Sequence, residues 1–158
     1  MIVYLYYHHA YIMIGDIMLF TYTEKEADLL ARLMRAEAIG EGELGMLMVG
    51  NVGVNRVIAS CLDFINIRTV TDMIYQTPGG FTGRDSPLFF SAATSKEKEL
   101  ASRVLRGEYY YPATHALWFY APKTGETCRA TWFNQALAGR FKNHCFYRPS
   151  PGICRELY

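Results

Sequence analysis

Glu37 occupies a position where an ionised carboxylate is costly. It lies in the run Ala31-Arg-Leu-Met-Arg-Ala-Glu37-Ala-Ile-Gly-Glu41-Gly-Glu43, and Ala27, Leu30, Met34 and Glu37 follow one another at spacings of three, four and three. That spacing puts all four on one face of a helix. A carboxyl group on an apolar stripe resists ionisation, because burial raises its pKa. A carboxyl that keeps its proton near neutral pH is what general-acid catalysis requires. Gly40 and Gly42 then end the helix and open space beside the acid. The competing reading puts Glu37 at the stripe's edge, in water.

Other residue types add binding chemistry. Aromatic side chains gather at Tyr109-Tyr-Tyr111, Trp118-Phe-Tyr120, Trp132-Phe133 and Phe146-Tyr147, close to Asn, Gln and Arg. Rings stack on the C–H faces of sugars while amides meet their hydroxyls, so the combination suits carbohydrate; a hydrophobic core is the alternative. Asn51 and Asn55 stand one helical turn apart, as solvated surface or as a polar strip, with Asn55 expected to line a cleft. The stretch Thr77-Pro-Gly-Gly-Phe-Thr-Gly-Arg-Asp-Ser-Pro87 reads as a loop, either a binding loop around Phe81 or plain surface. Cys61, Cys128, Cys145 and Cys154 form no Cys-x-x-Cys pair, so no zinc site and no other metal is expected. They are four free thiols in a reducing cytosol, or two disulfides in an oxidising compartment.

These residues need elements to hold them. Thr23-Glu-Lys-Glu26 is a capping box that opens a helix over 24–39, and a second helix spans 43–58 with Gly45, Gly50 and Gly53 permitting close approach. Thr69 caps a short helix ending near Tyr75-Gln76. Thr94-Ser-Lys-Glu97 opens another that stops at Gly107. Leu117–Tyr120 and His144–Tyr147 read as strands, with Trp132-Phe-Asn-Gln135 between them.

The chain has 158 residues, enough for one domain with a real core, and an apolar fraction of 51% that argues for a folded state. A net charge of +1 gives no general attraction to nucleic acid, and no apolar run is long enough to span a bilayer. The first seventeen residues are apolar and aromatic with no Lys or Arg before Lys25, unlike a secretory signal. An extra strand is one reading of them; the preferred one is a non-core extension arising from a misassigned start, with the true start at Met18. His8 and His9 then carry no function, and Leu19 onward forms the polar entry to the first helix.

Leu30-Ala-Arg-Leu-Met-Arg-Ala-Glu37-Ala-Ile-Gly-Glu41-Gly resembles the catalytic-helix signature of the spore cortex-lytic cell wall hydrolases, the SleB/CwlJ group. Gly45-Met-Leu-Met-Val-Gly-Asn-Val-Gly-Val-Asn55-Arg56 resembles the second helix of that group. Met73-Ile-Tyr75-Gln76, Leu117-Trp-Phe-Tyr120, Trp132-Phe-Asn-Gln135 and His144-Cys-Phe-Tyr147 follow in the same order. The resemblance runs from about Tyr22 to Tyr158 and is nearer the CwlJ branch, which lacks a separate peptidoglycan-binding domain. Thr77-Pro-Gly-Gly-Phe81 departs from the pattern, which often has glutamine before the phenylalanine.

The resemblance implies an α+β, mostly helical fold of lysozyme-like, lytic-transglycosylase-related type, with a small strand region and a single catalytic domain over 18–158. It implies cleavage of spore cortex glycan during germination, with Glu37 as catalytic acid. The expected substrate contacts are Glu41, Asn55, Tyr75, Gln76, Phe81, Trp118, Tyr120 and Trp132, Glu41 having loop ordering as its other reading. A hydrolytic outcome needs a second carboxylate, for which Glu41, Glu43, Asp63 and Asp85 qualify by type. No cofactor is implied. A spore coat-protein partner is implied, as is a location in the coat and cortex region after synthesis in the cytoplasm without a signal peptide. Two other functions compete: an amidase or peptidase using Cys145 with His115 or His144, and a silent peptidoglycan-binding module.

Overall fold

Three threonines start helices by the same device. Thr23, Thr69 and Thr94 each accept a hydrogen bond from the backbone N–H three residues on, while the acid at that position bonds back to the threonine amide. They open α1 (Glu24–Ala38), α3 (Val70–Tyr75) and α5 (Ser95–Leu105). The computed structural model describes residues 9–14 and 17–158, with side chains from Phe20 onward. Glu26 also reaches beyond its own helix. Its other oxygen accepts from Thr71 N at 3.1 Å and Thr71 Oγ1 at 2.9 Å, pinning α3 to the start of α1.

The central element is α2 (Gly42–Ala59), with 14 of its 18 residues buried. Gly50 and Gly53 let neighbours press against it. A Cβ on Gly50 would stand 2.9 Å from Val104 of α5 and 3.0 Å from the Met34 sulfur of α1, and one on Gly53 would stand 3.0 Å from Met73 of α3. A short helix, α4 (Pro87–Phe90), follows the glycine-rich loop. Arg35 of α1 is buried and holds this region by donating to the carbonyls of Leu88 and Ala92 and to Glu97. The core is apolar: Leu30, Leu33, Met34, Val49, Met73, Leu100 and Leu105 are fully buried together.

Beyond the helices, β3 (Trp118–Tyr120), β4 (Thr131–Trp132), β5 (Gln135–Phe141) and β6 (His144–Arg148) form an antiparallel sheet in the order β3-β6-β5-β4. The expected α+β, mostly helical architecture with a small strand region is present. Phe133 and Asn134 both adopt positive φ, which closes the two-residue turn between β4 and β5. Among the described residues, no helix is long and apolar enough to cross a membrane.

One expectation needs correction, and one open choice is settled. The approach to α1 is a strand, not a polar helix entry: β1 (His9–Ile14) pairs antiparallel with β2 (Ile17–Thr23). Alternating Leu19-Phe-Thr-Tyr-Thr23, rich in aromatic and β-branched residues, favours that conformation. His8 lies outside the described residues. The cysteines are not free: Cys61 is bonded to Cys154 and Cys128 to Cys145. The first bond joins positions 93 residues apart, a proximity that local spacing does not reveal.

Candidate active site

Glu37 ends α1 where the chain turns toward Gly42. The turn Thr82–Asp85 passes over it, and the Gly83 amide donates to Glu37 Oε1 at 2.5 Å. A Cβ on Gly83 would come within 2.7 Å of that oxygen, so a larger residue there would displace the Glu37 side chain. Burial pushes the Glu37 carboxyl above its ordinary range, and the opposing effects of the Gly83 amide and the Arg56 charge are smaller. Arg32 and Arg35, the basic residues nearest on the same helix, are turned away, toward Asp28 at 2.6 Å and Glu97 at 2.8 Å.

Arg56 comes from α2. Its Nε donates to the Leu117 carbonyl at 2.9 Å and its NH1 to the Gly79 carbonyl at 3.2 Å, while its guanidinium lies over Phe81 at 4.1 Å and Phe64 at 4.9 Å. Burial draws its pKa down to about 9, which leaves it cationic at neutral pH. Glu37 and Asp63 both stabilise that charge.

These groups line a cleft of about 700 Å³. Phe81, Trp118, Tyr120 and Trp132, four of the expected contacts, line it with Glu37. The Tyr120 and Trp132 rings meet at 4.9 Å, and Trp118 packs on Phe64 at 5.6 Å. The arrangement offers ring faces beside one carboxyl whose pKa burial raises, which suits stacking on an apolar sugar face and proton donation to an oxygen.

The other expected contacts are employed elsewhere. Glu41 is buried, and its two oxygens accept from Asn143 N at 3.0 Å and Asn143 Nδ2 at 2.9 Å, so it orders the β5–β6 turn. Asn55 does not line the cleft. Its Nδ2 donates to the carbonyls of Ala113, Thr114 and Ala116, because α2 is enclosed and its polar strip meets a loop. Asn51 binds that loop too, at Glu108 O and Tyr110 N. Tyr75 and Gln76 lie in a neighbouring groove of about 650 Å³ that meets the cleft at Asp63 and Gly79. Gln76 Nε2 donates to the Asp63 carbonyl at 3.0 Å.

Of the carboxylates nominated as a second acid, Asp63 lines the cleft. Glu43 pairs with Lys96 at 3.6 Å, and Asp85 is a well-exposed neighbour of Arg84. Cys145 is buried and bonded to Cys128, so it offers no thiolate, and His115 stacks on Tyr158 at 4.2 Å. Among the described residues, no three His, Cys, Asp or Glu side chains converge as metal ligands. Sequence reasoning missed Arg56 and His144 as cleft components, and Gly83 as the backbone partner of Glu37. The single basic residue of α2, on a helix with 14 of 18 residues buried, was the available signal for Arg56.

The family model described as cell wall hydrolase matches residues 40–147, a span beginning just after Glu37. Cell wall hydrolase CwlJ of Oceanobacillus iheyensis is 53% identical over 137 residues, covering 87% of this chain and 96% of that protein. The CwlJ of Bacillus subtilis (strain 168) is 47% identical over 136 residues, covering 86% and 94%. The fold is shared with the crystal structure of the catalytic domain of the Bacillus cereus SleB protein, at a TM-score of 0.62 and 24% identity over 87% of this chain and 95% of that one. It is shared with the catalytic domain of the germination-specific lytic transglycosylase SleB from Bacillus anthracis, at a TM-score of 0.63 and 23% identity over 80% and 97%.

Proposed function

The chain belongs to the cell wall hydrolase family, and on that premise we propose that it cleaves the glycan strands of spore cortex peptidoglycan during germination with Glu37 as general acid. The observation that carries this reading is the position of Glu37: a carboxyl whose pKa burial raises, held by the Gly83 amide, inside an aromatic cleft. Glu37 protonates the glycosidic oxygen as the C1–O bond breaks. In the transglycosylase outcome the muramic 6-hydroxyl attacks C1 and returns its proton to Glu37, giving an anhydro-muramoyl end. In the hydrolytic outcome water attacks C1, and a second carboxylate takes its proton. Asp63 favours keeping this second outcome in play, because it shares the cleft with Glu37.

Residues 18–158 form the catalytic unit in this reading, the coat and cortex region of the spore is the place of action, and a coat protein is the partner. Mass spectrometry of muropeptides released from purified cortex tests the proposal. Anhydro-muramoyl ends identify a transglycosylase and new reducing ends a muramidase. New amino termini without either sugar product would overturn the glycan reading, and so would binding without release.

A further inference from the structure

His144 opens β6 and lines the same cleft as Glu37, yet it is only 7% exposed. Its ring packs on Phe119 at 4.8 Å between centroids and meets Phe146 edge-on at 6.1 Å. Nδ1 is sealed from water and has no hydrogen-bond partner. A buried N–H without an acceptor is rarer and costlier than an unpaired lone pair, so the proton belongs on Nε2. Glu41, the carboxylate that acts on the ring electrostatically, is already occupied by Asn143. Burial also disfavours the doubly protonated ring. Nε2 therefore presents one neutral N–H to the cleft.

That tautomer excludes a proton-accepting role. The only lone pair is on the sealed nitrogen, so His144 holds a substrate group rather than moving a proton. The acceptor's identity follows from the surroundings. Arg56, a buried guanidinium in the cleft, spends its Nε and NH1 on the Leu117 and Gly79 carbonyls, which ties it to the frame. A hydroxyl would use the N–H but leave the Phe119 face unused. An amide bearing a methyl group uses both.

We infer that His144 Nε2 donates to the acetamido carbonyl oxygen of a sugar bound beside Glu37, while the Phe119 ring receives the acetamido methyl. His144 is thus a positioning and specificity residue, and the assignment rests on the glycan-cleaving reading above.

The test compares purified cortex glycan fragments with the same fragments after N-deacetylation, using wild type, His144→Phe and His144→Gln. Loss of one neutral hydrogen bond to a buried group corresponds to about tenfold. Wild type should lose about that factor in kcat/KM on deacetylated fragments, mainly through KM. His144→Phe should lose it on native fragments and little more on deacetylated ones. His144→Gln, which restores an N–H donor, should recover to within about threefold. Equal losses by His144→Phe on both substrates, or wild-type indifference to deacetylation, would overturn the inference. The wild-type comparison needs no variant to fold. A wild type that cleaves neither substrate would remove the glycan reading itself, and this inference with it.

Discussion

The Gly83 amide donates to Glu37 Oε1 at 2.5 Å across a gap that a Cβ could enter only by displacing the acid. The acid is thereby oriented by main chain from a distant loop, 46 residues further along. A methyl group at position 83 would meet Oε1 at 2.7 Å, Cδ at 2.9 Å and Cγ at 3.0 Å. Gly83→Ala should therefore lower kcat by roughly ten- to a hundredfold, the scale of a displaced catalytic group, with KM little changed. Steady-state kinetics on cortex fragments checks this, and a melting curve shows whether the fold survives. Unchanged kcat would mean that Glu37 is not held by this contact during turnover.

Glu37→Gln should fold and lose roughly two to four orders of magnitude in activity, the usual range for a general acid. The substitution also isolates the titration of Glu37. Burial raises the carboxyl's folded-state pKa above its unfolded value, so the folded protein binds that proton more tightly. The resulting stability is fully present below the unfolded pKa and declines as pH rises through the folded pKa. Activity falls over the upper part of that window as the acid ionises. His144 works in the opposite sense: its pKa is lowered, so stability declines as pH falls below its unfolded value. Glu37→Gln retains His144, so the difference between the two denaturation-versus-pH curves reports Glu37 alone. An identical decline in the variant would show that Glu37 is not a buried acid.

The disulfides should matter for stability and not for chemistry. Cys128 and Cys145 close a loop of 17 residues, and a loop of that size contributes about 3 kcal/mol in the chain-entropy account. Replacing both with serine should lower the melting temperature by several degrees. The rate per folded molecule should stay within about tenfold. Complete loss of activity in a folded variant would return the cysteine-dependent amidase to consideration.

Removal of residues 1–17 should leave fold and activity intact. Among the described residues β1 pairs with β2, and Tyr22, which the truncation retains, belongs to the buried core. Differential scanning calorimetry of the two forms decides the matter. A fall of several degrees would show that the hairpin supports the core.

What the sequence disclosed was local. The three capping boxes and the face shared by Leu30, Met34 and Glu37 depend on neighbours within one or two turns, and the elements appear where those signals put them. Asn55 was misread because a polar residue on a helix looks the same whether it meets solvent or a loop 58 to 61 residues away. Arg56 and Gly83 converge on Glu37 from two other segments, and no spacing rule links them. The cysteine pairs were hidden for the same reason. Aromatic residues were easier: four of those expected to bind sugar do line the cleft, and for Trp118, Tyr120 and Trp132 this is because strands rich in rings must leave some outside the core.

Arg56 fastens strand β3 to the loop at Gly79 with the same guanidinium that acts on Glu37. Tuning and construction are thus vested in one side chain. Anyone seeking to shift this protein's working pH by engineering would find Arg56 the wrong handle, since removing its charge would also unfasten the two walls that shape the cleft. The adjustable positions are those that alter the carboxyl's solvation without bearing on the frame, and the rim of exposed rings around Phe133 is where such changes would be tolerated.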